Sequence, residues 1–258
     1  MVDEMYRHGN WLKMVRENES MRLHIGTSGF SYPFWKEKFY PEKLASSKWL
    51  AYYGSQFNTL ELNSSFYRFP VLKTLEKQRD QTPPGFIFSV KAHKIITHTL
   101  RMKNAKEKVL EFTHIVEDGL KEKLGCLLFQ LPPSFAYTEE NLDNILQNIP
   151  HLSRNVIEFR HISWWSEKVW ETLKKHNLTF CNVSYPTLPT EPLIRDNIFY
   201  LRMHGVPDLF KSSYSDLLLK QLAIKIPKAE ACYIYFNNTM YEAGYENARK
   251  LRSLMQPG

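Results

Sequence analysis

The chain has 258 residues, of which 43% are hydrophobic and 24% are charged, and its formal net charge at pH 7 is +7. This composition excludes a disordered, collagen-like or coiled-coil protein, and the length suits one large α/β domain. No apolar run approaches the ~20 residues that cross a bilayer, so we expect no membrane partner and a cytoplasmic location. The excess of positive charge favours an anionic partner, either a small phosphorylated molecule or nucleic acid.

The first twenty residues differ from the rest of the chain. They are too polar to contain a signal-peptide core, and a strand-like run at residues 22–26 follows directly after Met21. We therefore expect residues 1–20 to be an N-terminal extension that need not belong to the fold. Residues 21–258 are expected to form a single domain.

Short runs rich in β-branched and aromatic residues alternate with amphipathic segments along this domain. The predicted strands are residues 23–26, 59–63, 86–91, 126–131, 156–160, 179–183, 198–204 and 232–237. The predicted helices are residues 49–56, 72–81, 104–123, 139–148, 167–176, 215–226 and 245–255. Thr138 and Ser166 stand at the N-cap positions of two of these helices.

Eight strands that alternate with helices predict an α/β fold, a single (β/α)8 TIM-like barrel, since such barrels are usually about 250 residues long. The alternative is a doubly wound open sheet, which is disfavoured because no Gly-rich dinucleotide fingerprint follows the first strand. The sixth βα unit is expected to be irregular. Pro186, Pro189 and Pro192 leave little room for a full helix there.

In a barrel of this kind the functional site forms at the carboxyl ends of the strands, and here those positions are polar. The candidates for catalysis are Glu61, Lys91, Glu158 and His204. The candidates for substrate binding are Ser28, Asn63, Tyr67, His98, Gln130, Arg160, Arg202, Asn237 and Asn238.

Several candidates are spaced two residues apart and therefore lie on the same side of a strand. Glu158 could be a general base while Arg160 holds a substrate by charge, or the two could form a structural ion pair. Glu61 could share the acid–base work with Glu158, or the two could bind a divalent metal together with His204. Two glutamates and one histidine make a thin ligand set, so a metal is not favoured.

The remaining candidates also have two interpretations each. Lys91 ends an apolar strand, where a desolvated amine can form a Schiff base or can instead pair with a carboxylate or a phosphate. Arg202 and His204 could bind an anion and shuttle a proton, or His204 could be a satisfied core residue. His98 lies in the loop after Lys91, either in the site or on the surface. Tyr67 belongs to a group of loop aromatics that could stack on a ligand or cover a local hydrophobic cluster.

Motifs of the common cofactor-dependent and hydrolytic enzymes are missing from the sequence. It contains no P-loop, no H-E-x-x-H, no G-x-S-x-G and no C-x-x-C, so no organic cofactor is indicated. The three cysteines, Cys126, Cys181 and Cys232, each lie in an apolar strand-like run, which predicts buried thiols.

A series of motifs resembles the YecE-like family, a domain of unknown function. They are Gly26-Thr27-Ser28-Gly29-Phe30, Phe57-Asn58-Thr59-Leu60-Glu61-Leu62-Asn63, Phe88-Ser89-Val90-Lys91-Ala92, Leu128-Phe129-Gln130-Leu131-Pro132-Pro133, Ile157-Glu158-Phe159-Arg160, Tyr200-Leu201-Arg202-Met203-His204-Gly205 and Tyr235-Phe236-Asn237-Asn238. The resemblance implies a TIM-barrel-like fold and a loose relation to sugar isomerases. It implies no particular reaction and no catalytic residues.

Three functional hypotheses follow. The leading one is an enzyme, isomerase-like or hydrolytic, that acts by proton transfer on a small polar or phosphorylated, sugar-like molecule. The second is a nucleic-acid binding or nuclease-type protein of the same fold, which the net charge and the loop aromatics favour. The third is a ligand sensor without catalysis.

Overall fold

The structure is a computed structural model that describes residues 21–191, 193–194 and 196–255. The predicted N-terminal extension, residues 1–20, lies outside the described residues. The strands are β1 (Arg22–Thr27), β2 (Thr59–Leu62), β3 (Ile87–Lys91), β4 (Leu124–Gln130), β5 (Asn155–Glu158), β6 (Thr179–Ser184), β7 (Ile198–Met203) and β8 (Ala231–Phe236).

Helices follow most of the strands. They are α1 (Trp49–Gln56), α2 (Ser64–Tyr67), α3 (Leu72–Asp80), α4 (Lys106–Leu120), α5 (Glu139–Asn148), α6 (Glu167–Lys175), α7 (Asp216–Lys225) and α8 (Ala243–Met255). Short 3-10 turns occur at Pro33–Trp35, Ser46–Lys48, Lys121–Lys123 and Ile162–Trp164, and a π-helical turn at Ile95–Thr99. Across the described residues, no helix is both long and apolar enough to span a membrane.

The strands form one eight-stranded sheet in the order β1-β8-β7-β6-β5-β4-β3-β2, and each neighbouring pair is parallel. The two end strands, β1 and β2, meet through a single bridge between Ser28 and Glu61. The sheet is therefore a nearly closed barrel, and the prediction of a (β/α)8 TIM-like fold is confirmed.

Apolar side chains form two layers, one between the barrel and the surrounding helices and one inside the barrel. Residues such as Ile25, Leu127 and Phe236 point outward into the layer beneath the helices. The interior is filled by the smaller cluster of Cys126, Leu128, Val156, Cys181, Val183, Tyr200, Ala231, Tyr233 and Tyr235, and Leu188 of the loop after β6 packs against it. Both layers exclude water, and each fully buried large side chain contributes roughly 1.5–3 kcal/mol to folding. The three cysteines are buried free thiols, as expected.

Local sequence signals set the ends of several helices. Thr138 Oγ1 accepts a hydrogen bond from Asn141 N at 3.0 Å, and Ser166 Oγ accepts one from Val169 N at 3.4 Å, which confirms both predicted N-caps. The predicted helix 104–123 is shorter than expected. It ends at Leu120 because Lys121 adopts a φ of +52°, a value that an α-helix cannot accommodate.

The sixth connection lacks a helix, as the prolines predict. Between β6 and β7, the described residues 185–191, 193–194 and 196–197 contain no helical segment. The Asn182 side chain ties this connection to the barrel wall, because its Nδ2 donates to Ile194 O at 2.9 Å and its Oδ1 accepts from Ile194 N at 2.7 Å. A loop therefore covers the outside of the barrel where other units place a helix.

A tyrosine hydroxyl joins the two strands that lack a regular ladder between them. The Tyr53 hydroxyl accepts a hydrogen bond from Thr27 N at 2.9 Å and donates one to Thr59 O at 3.1 Å. Gly26 lies at the same seam, where a Cβ would collide with Thr59 O and lie 2.9 Å from the Tyr53 hydroxyl. The close approach of β1 to β2 therefore requires glycine at position 26.

We expect Gly26→Ala to destabilise the protein by about 3 kcal/mol or more, because the new methyl group meets rigid backbone. The measurement is the free energy of unfolding in urea. Gly85→Ala is the control, since Gly85 has a φ of +76° but nothing within 4 Å of its would-be Cβ, and there only the backbone strain of about 1 kcal/mol applies. Equal losses in the two variants would show that the seam is not tightly packed.

Candidate functional site

The carboxyl ends of the strands form one end of the barrel, which we call the barrel mouth. Glu61 near the end of β2, Glu158 at the end of β5 and Arg202 near the end of β7 all point into the barrel just below it. The side chains of Glu61 and Glu158 are 0% exposed and that of Arg202 is 1% exposed. Charges at this depth persist only when they are paired.

The guanidinium of Arg202 links the two carboxylates across the barrel. Its Nη2 donates to Glu61 Oε1 at 2.7 Å, and its Nε lies 3.1 Å from both oxygens of Glu61. Its Nη1 donates to Glu158 Oε2 at 2.6 Å. The planar fork of an arginine can serve two carboxylates in this way, whereas a lysine could not.

The remaining hydrogen-bonding capacity of Glu61 is also used within the protein. Ser28 Oγ donates to Glu61 Oε1 at 2.6 Å, and the Tyr200 hydroxyl donates to Oε2 at 2.7 Å. Tyr200 was not among the predicted site residues. Its position two residues before Arg202 on β7, on the same inward side, is the signal that could have identified it. Glu61 therefore helps to hold the site together.

Glu158 is held in its ionised form. Burial alone would raise the pKa of its carboxyl group, but the positive charges of Arg160 and Arg202 outweigh burial and hold this pKa well below its usual value. Arg160 Nε donates to Glu158 Oε1, and His204 Nε2 lies 3.2 Å from the same oxygen. A carboxylate with so low a pKa binds protons weakly at neutral pH.

His204 is an uncharged member of this network. Burial lowers the pKa of its imidazole to about 3, and the charge of Arg160 adds to the effect. Its Nε2 lies 2.9 Å from Arg160 Nη2, and its Nδ1 lies 2.9 Å from the Asn237 side-chain amide. Asn237 thus orients the imidazole, and the neutral imidazole in turn supports Arg160 and Glu158.

Lys91 differs from the other charged groups of the site. It is the last residue of β3 and half-buried, and its ammonium lies 4.0 Å from the centre of the Phe66 ring. None of the carboxylates that the structure describes lies within ion-pair distance of it. Burial lowers the pKa of Lys91 to about 7, and the nearby charge of Arg202 contributes to this shift. Lys91 is therefore a group that changes its charge near neutral pH.

His98 lies beside Lys91 against the same aromatic ring. Its imidazole packs edge-on against Phe66 with a centroid distance of 4.9 Å, and its Nδ1 is hydrogen-bonded to Thr97 Oγ1 at 2.9 Å. Burial and, to a smaller extent, the charge of Lys91 lower the pKa of His98 to about 4. The structure thus brings His98 into the site.

Open hydrogen-bonding groups also lie near the mouth. Arg160 stacks its guanidinium 4.4 Å above the Tyr185 ring, and its Nη1 has no hydrogen-bond partner among the described residues. Asn63 Oδ1 is buried and also has no hydrogen-bond partner among the described residues. Gln130 donates its amide to Leu131 O at 2.7 Å. A ligand could therefore bind to Arg160 Nη1, whereas the oxygen of Asn63 is buried.

Two predicted residues lie at the edge of the site. Asn238 Nδ2 donates to Ser212 O at 2.9 Å and to Asn247 Oδ1 at 3.0 Å, so this side chain links a loop to α8. Tyr67 is 69% exposed and contacts the edge of Phe66. Asn238 therefore supports a loop at the mouth, while Tyr67 is largely open to solvent.

The charges of the site nearly balance. The two carboxylates, Glu61 and Glu158, face the two guanidiniums of Arg160 and Arg202, and protonated Lys91 adds one positive charge. No three His, Cys, Asp or Glu side chains lie close enough together to hold a metal ion anywhere in the described ranges. When Lys91 is protonated, these five side chains therefore carry a net charge of +1.

A cleft of about 440 Å³ lies at the opposite end of the barrel, lined by Asn177, Asp196 and Glu230 among others. It is far from the buried charges of Glu61, Glu158 and Arg202. Barrel enzymes carry out their chemistry at the carboxyl ends of the strands. We therefore place the candidate site at the barrel mouth, where the titratable groups converge.

Comparison with known proteins identifies similar chains. A family model described as "Protein of unknown function DUF72" matches residues 24–258. The UPF0759 protein YunF of Bacillus subtilis is 33% identical over 157 residues, which are 58% of this chain and 54% of that protein. The UPF0759 protein YecE of Escherichia coli K12 is 25% identical over 172 residues, 66% of this chain and 60% of that protein. The chain thus spans little more than half the length of these relatives.

Two solved structures have the same fold. A DUF72 family protein of Thermotoga maritima has a TM-score of 0.82 and 30% identity, and the match covers 91% of this chain and 99% of that one. A DUF72 family protein of Enterococcus faecalis has a TM-score of 0.74 and 20% identity over 90% of this chain and 95% of that one, and this match bears on the fold alone.

We expect Arg202→Met to destabilise the protein by about 3–5 kcal/mol, because it leaves two buried carboxylates without their shared cation. Urea denaturation at neutral pH measures the loss. Arg22→Met is the matched control: it breaks the exposed Arg22–Glu230 ion pair and should change the stability by little more than experimental error. Similar stabilities of the two variants would mean that the fold does not depend on the buried network.

Proposed function

The chain belongs to the DUF72 family of proteins of unknown function, and on this premise we propose that it is an enzyme acting by proton transfer on a small anionic molecule at the barrel mouth. A phosphorylated or carboxylated sugar-like compound fits this description. Lys91 carries the proton, Arg160 binds the anionic group, and the network around Arg202 holds both in place.

The observation that carries the proposal is the position of Lys91. Lys91 is the last residue of β3 and is half-buried, and it has no carboxylate partner among the described residues. Its pKa of about 7 means that both its acid and its base forms are populated at neutral pH. General acid–base catalysts work best when their pKa lies near the working pH.

The glutamates are less suited to this task. The oxygens of Glu61 are occupied by Ser28, Tyr200 and Arg202. Glu158 has a pKa well below its usual value and shares its oxygens with two arginines. We therefore assign both carboxylates to positioning the arginines, and the proton-transfer role to Lys91.

Anion binding follows from the charge balance of the site. With the carboxylates matched by Arg160 and Arg202, a protonated Lys91 leaves a net positive charge in a poorly solvated place. An anionic ligand neutralises this charge and should raise the pKa of Lys91 as it binds. Arg160 offers its free Nη1 to the same ligand, and its position on Tyr185 limits its movement.

We expect the affinity for sulfate to fall roughly tenfold between about pH 6 and about pH 8.5, because Lys91 loses its proton over this range. Sulfate is the probe because its own charge is constant there. Calorimetry in buffers of different ionisation enthalpy should also show uptake of about half a proton at pH 7.

Two lysine variants complete this experiment. Lys91→Met should lose both the pH dependence and the proton uptake, whereas Lys168→Met, which alters an exposed lysine paired with Glu139, should keep both. Sulfate binding that does not vary with pH, or that is unchanged in Lys91→Met, would contradict the proposal. A sensor without catalysis would bind in the same way and would leave the carbon-bound hydrogens of a bound sugar phosphate unexchanged in D2O.

Nucleic-acid binding is the second candidate, and exposed aromatic side chains on the mouth loops favour it. Phe34, Tyr67 and Tyr241 are 44%, 69% and 58% exposed and follow the neighbouring strands β1, β2 and β8. Trp35 Nε1 donates to Tyr241 O at 2.9 Å and so links two of these loops. Rings presented in this way can stack on unpaired bases.

Salt dependence distinguishes the two candidates. If the chain follows a nucleic-acid backbone, its affinity for a short single-stranded oligonucleotide should fall roughly 100-fold or more between about 50 and 200 mM salt. The small-molecule proposal predicts no measurable binding even at the lower salt. Fluorescence anisotropy measures both outcomes, and Tyr67→Ala should weaken the binding only if stacking contributes to it.

A further inference from the structure

Lys123 and Lys91 are two poorly exposed lysines whose amines differ in their hydrogen bonding. Lys123 Nζ donates to Arg79 O at 2.8 Å, to Thr82 O at 2.7 Å and to Thr82 Oγ1 at 3.1 Å, so its three protons are occupied. Lys91 Nζ lies over the face of the Phe66 ring and makes no hydrogen bond or ion pair with any described residue. Lys123 is therefore structural, while the nitrogen of Lys91 is free to react.

We propose that Lys91 forms an imine with the carbonyl carbon of a small anionic aldehyde or ketone. The inference rests on the proposed function, and it names the substrate class of that site. The lone pair of the neutral amine attacks the carbonyl carbon, and the carbonyl oxygen takes up a proton while the nitrogen releases one. The hydroxyl then takes up a second proton from the solvent and leaves as water while the carbon–nitrogen double bond forms, and the nitrogen releases its own second proton to the solvent, so that no net proton is consumed.

The surroundings of Lys91 favour its neutral, nucleophilic form. Burial lowers the pKa of Lys91, and the positive charges of Arg202 and Arg160 add to this effect, which the carboxylates of Glu158 and Glu61 only partly oppose. A lysine that is desolvated, or that lies next to other cations, is the kind that acts as a nucleophile at neutral pH. These features increase the fraction of amine that can attack a carbonyl carbon.

The neighbouring groups fit the rest of such a substrate. His98 packs against the same Phe66 ring, and its Nε2 has no hydrogen-bond partner among the described residues, so it can exchange a proton with the carbonyl oxygen. The free Nη1 of Arg160 can bind a carboxylate or phosphate on the carbon chain. An anionic carbonyl compound should therefore react faster than a neutral one.

The test is reduction of the imine with sodium borohydride, which delivers hydride to the imine carbon and leaves a stable secondary amine. Glyoxylate is the anionic probe and formaldehyde is the neutral one. At pH 7 we expect glyoxylate to label Lys91 roughly tenfold or more faster than exposed lysines such as Lys168, because their amines are almost wholly protonated. Peptide mapping by mass spectrometry locates the label, and sulfate should compete with it.

Two variants separate this inference from the proposed function. Lys91→Arg keeps the positive charge and removes the nucleophile, so it should bind sulfate at about pH 8.5 without any adduct at position 91. Arg160→Met should slow labelling by glyoxylate more than labelling by formaldehyde.

Equal labelling of Lys91 and exposed lysines, with pH-dependent sulfate binding intact, would overturn the imine while leaving the anion-binding proposal in place. Loss of both would overturn the two together. Fast labelling of Lys91 by formaldehyde but not by glyoxylate would also contradict the inference, because the site would then not select an anionic carbonyl compound.

Discussion

The buried contact of Arg202 with Glu61 and Glu158 is the interaction on which the rest of the barrel mouth depends. It joins β2, β5 and β7, three strands that are not neighbours in the sheet, through one side chain that water does not reach. Buried ion pairs add little net stability compared with apolar packing, but an unmatched charge in the same place is very costly. The network therefore acts mainly by allowing one arrangement of the strand ends and penalising the others.

The same network separates the parts of the site that are rigid from the part that can react. We call Glu61, Glu158, Arg160, Arg202 and His204 the charged frame. Both oxygens of Glu61 accept hydrogen bonds, Glu158 stays ionised beside two arginines, and His204 stays neutral between Arg160 and Asn237. Lys91 lies at the border of this frame and receives its electrostatic influence without a direct partner. Because the surrounding charges are paired with one another and the amine of Lys91 is not, this lysine can be buried and still change its protonation state near neutral pH.

Much of this arrangement could be predicted from local sequence, because alternation along a strand decides which side chains share a face. The eight strands, the caps at Thr138 and Ser166 and the inward direction of Glu158 and Arg202 all follow from such patterns. The pairing of Arg202 with Glu61 could not be predicted, since Glu61 lies 141 residues away and only barrel closure brings the two together. The spacing of Tyr200 from Arg202 places it on the inward side of β7, but its role as a hydrogen-bond donor depends on the position of the Glu61 carboxylate, which the sequence does not reveal.

The loop that replaces the sixth helix has a consequence for how members of such a fold can diverge. Changing the length of a helical unit forces the layer around the barrel to repack, whereas the loop after β6 lies on the outside and is tied down by Asn182. Its first residue, Tyr185, supports Arg160 at the mouth. Insertions or deletions further along this loop can therefore change which ligands reach the barrel mouth while the charged residues beneath keep their positions. The loop is thus the natural place for evolution, or for a protein engineer, to change ligand preference.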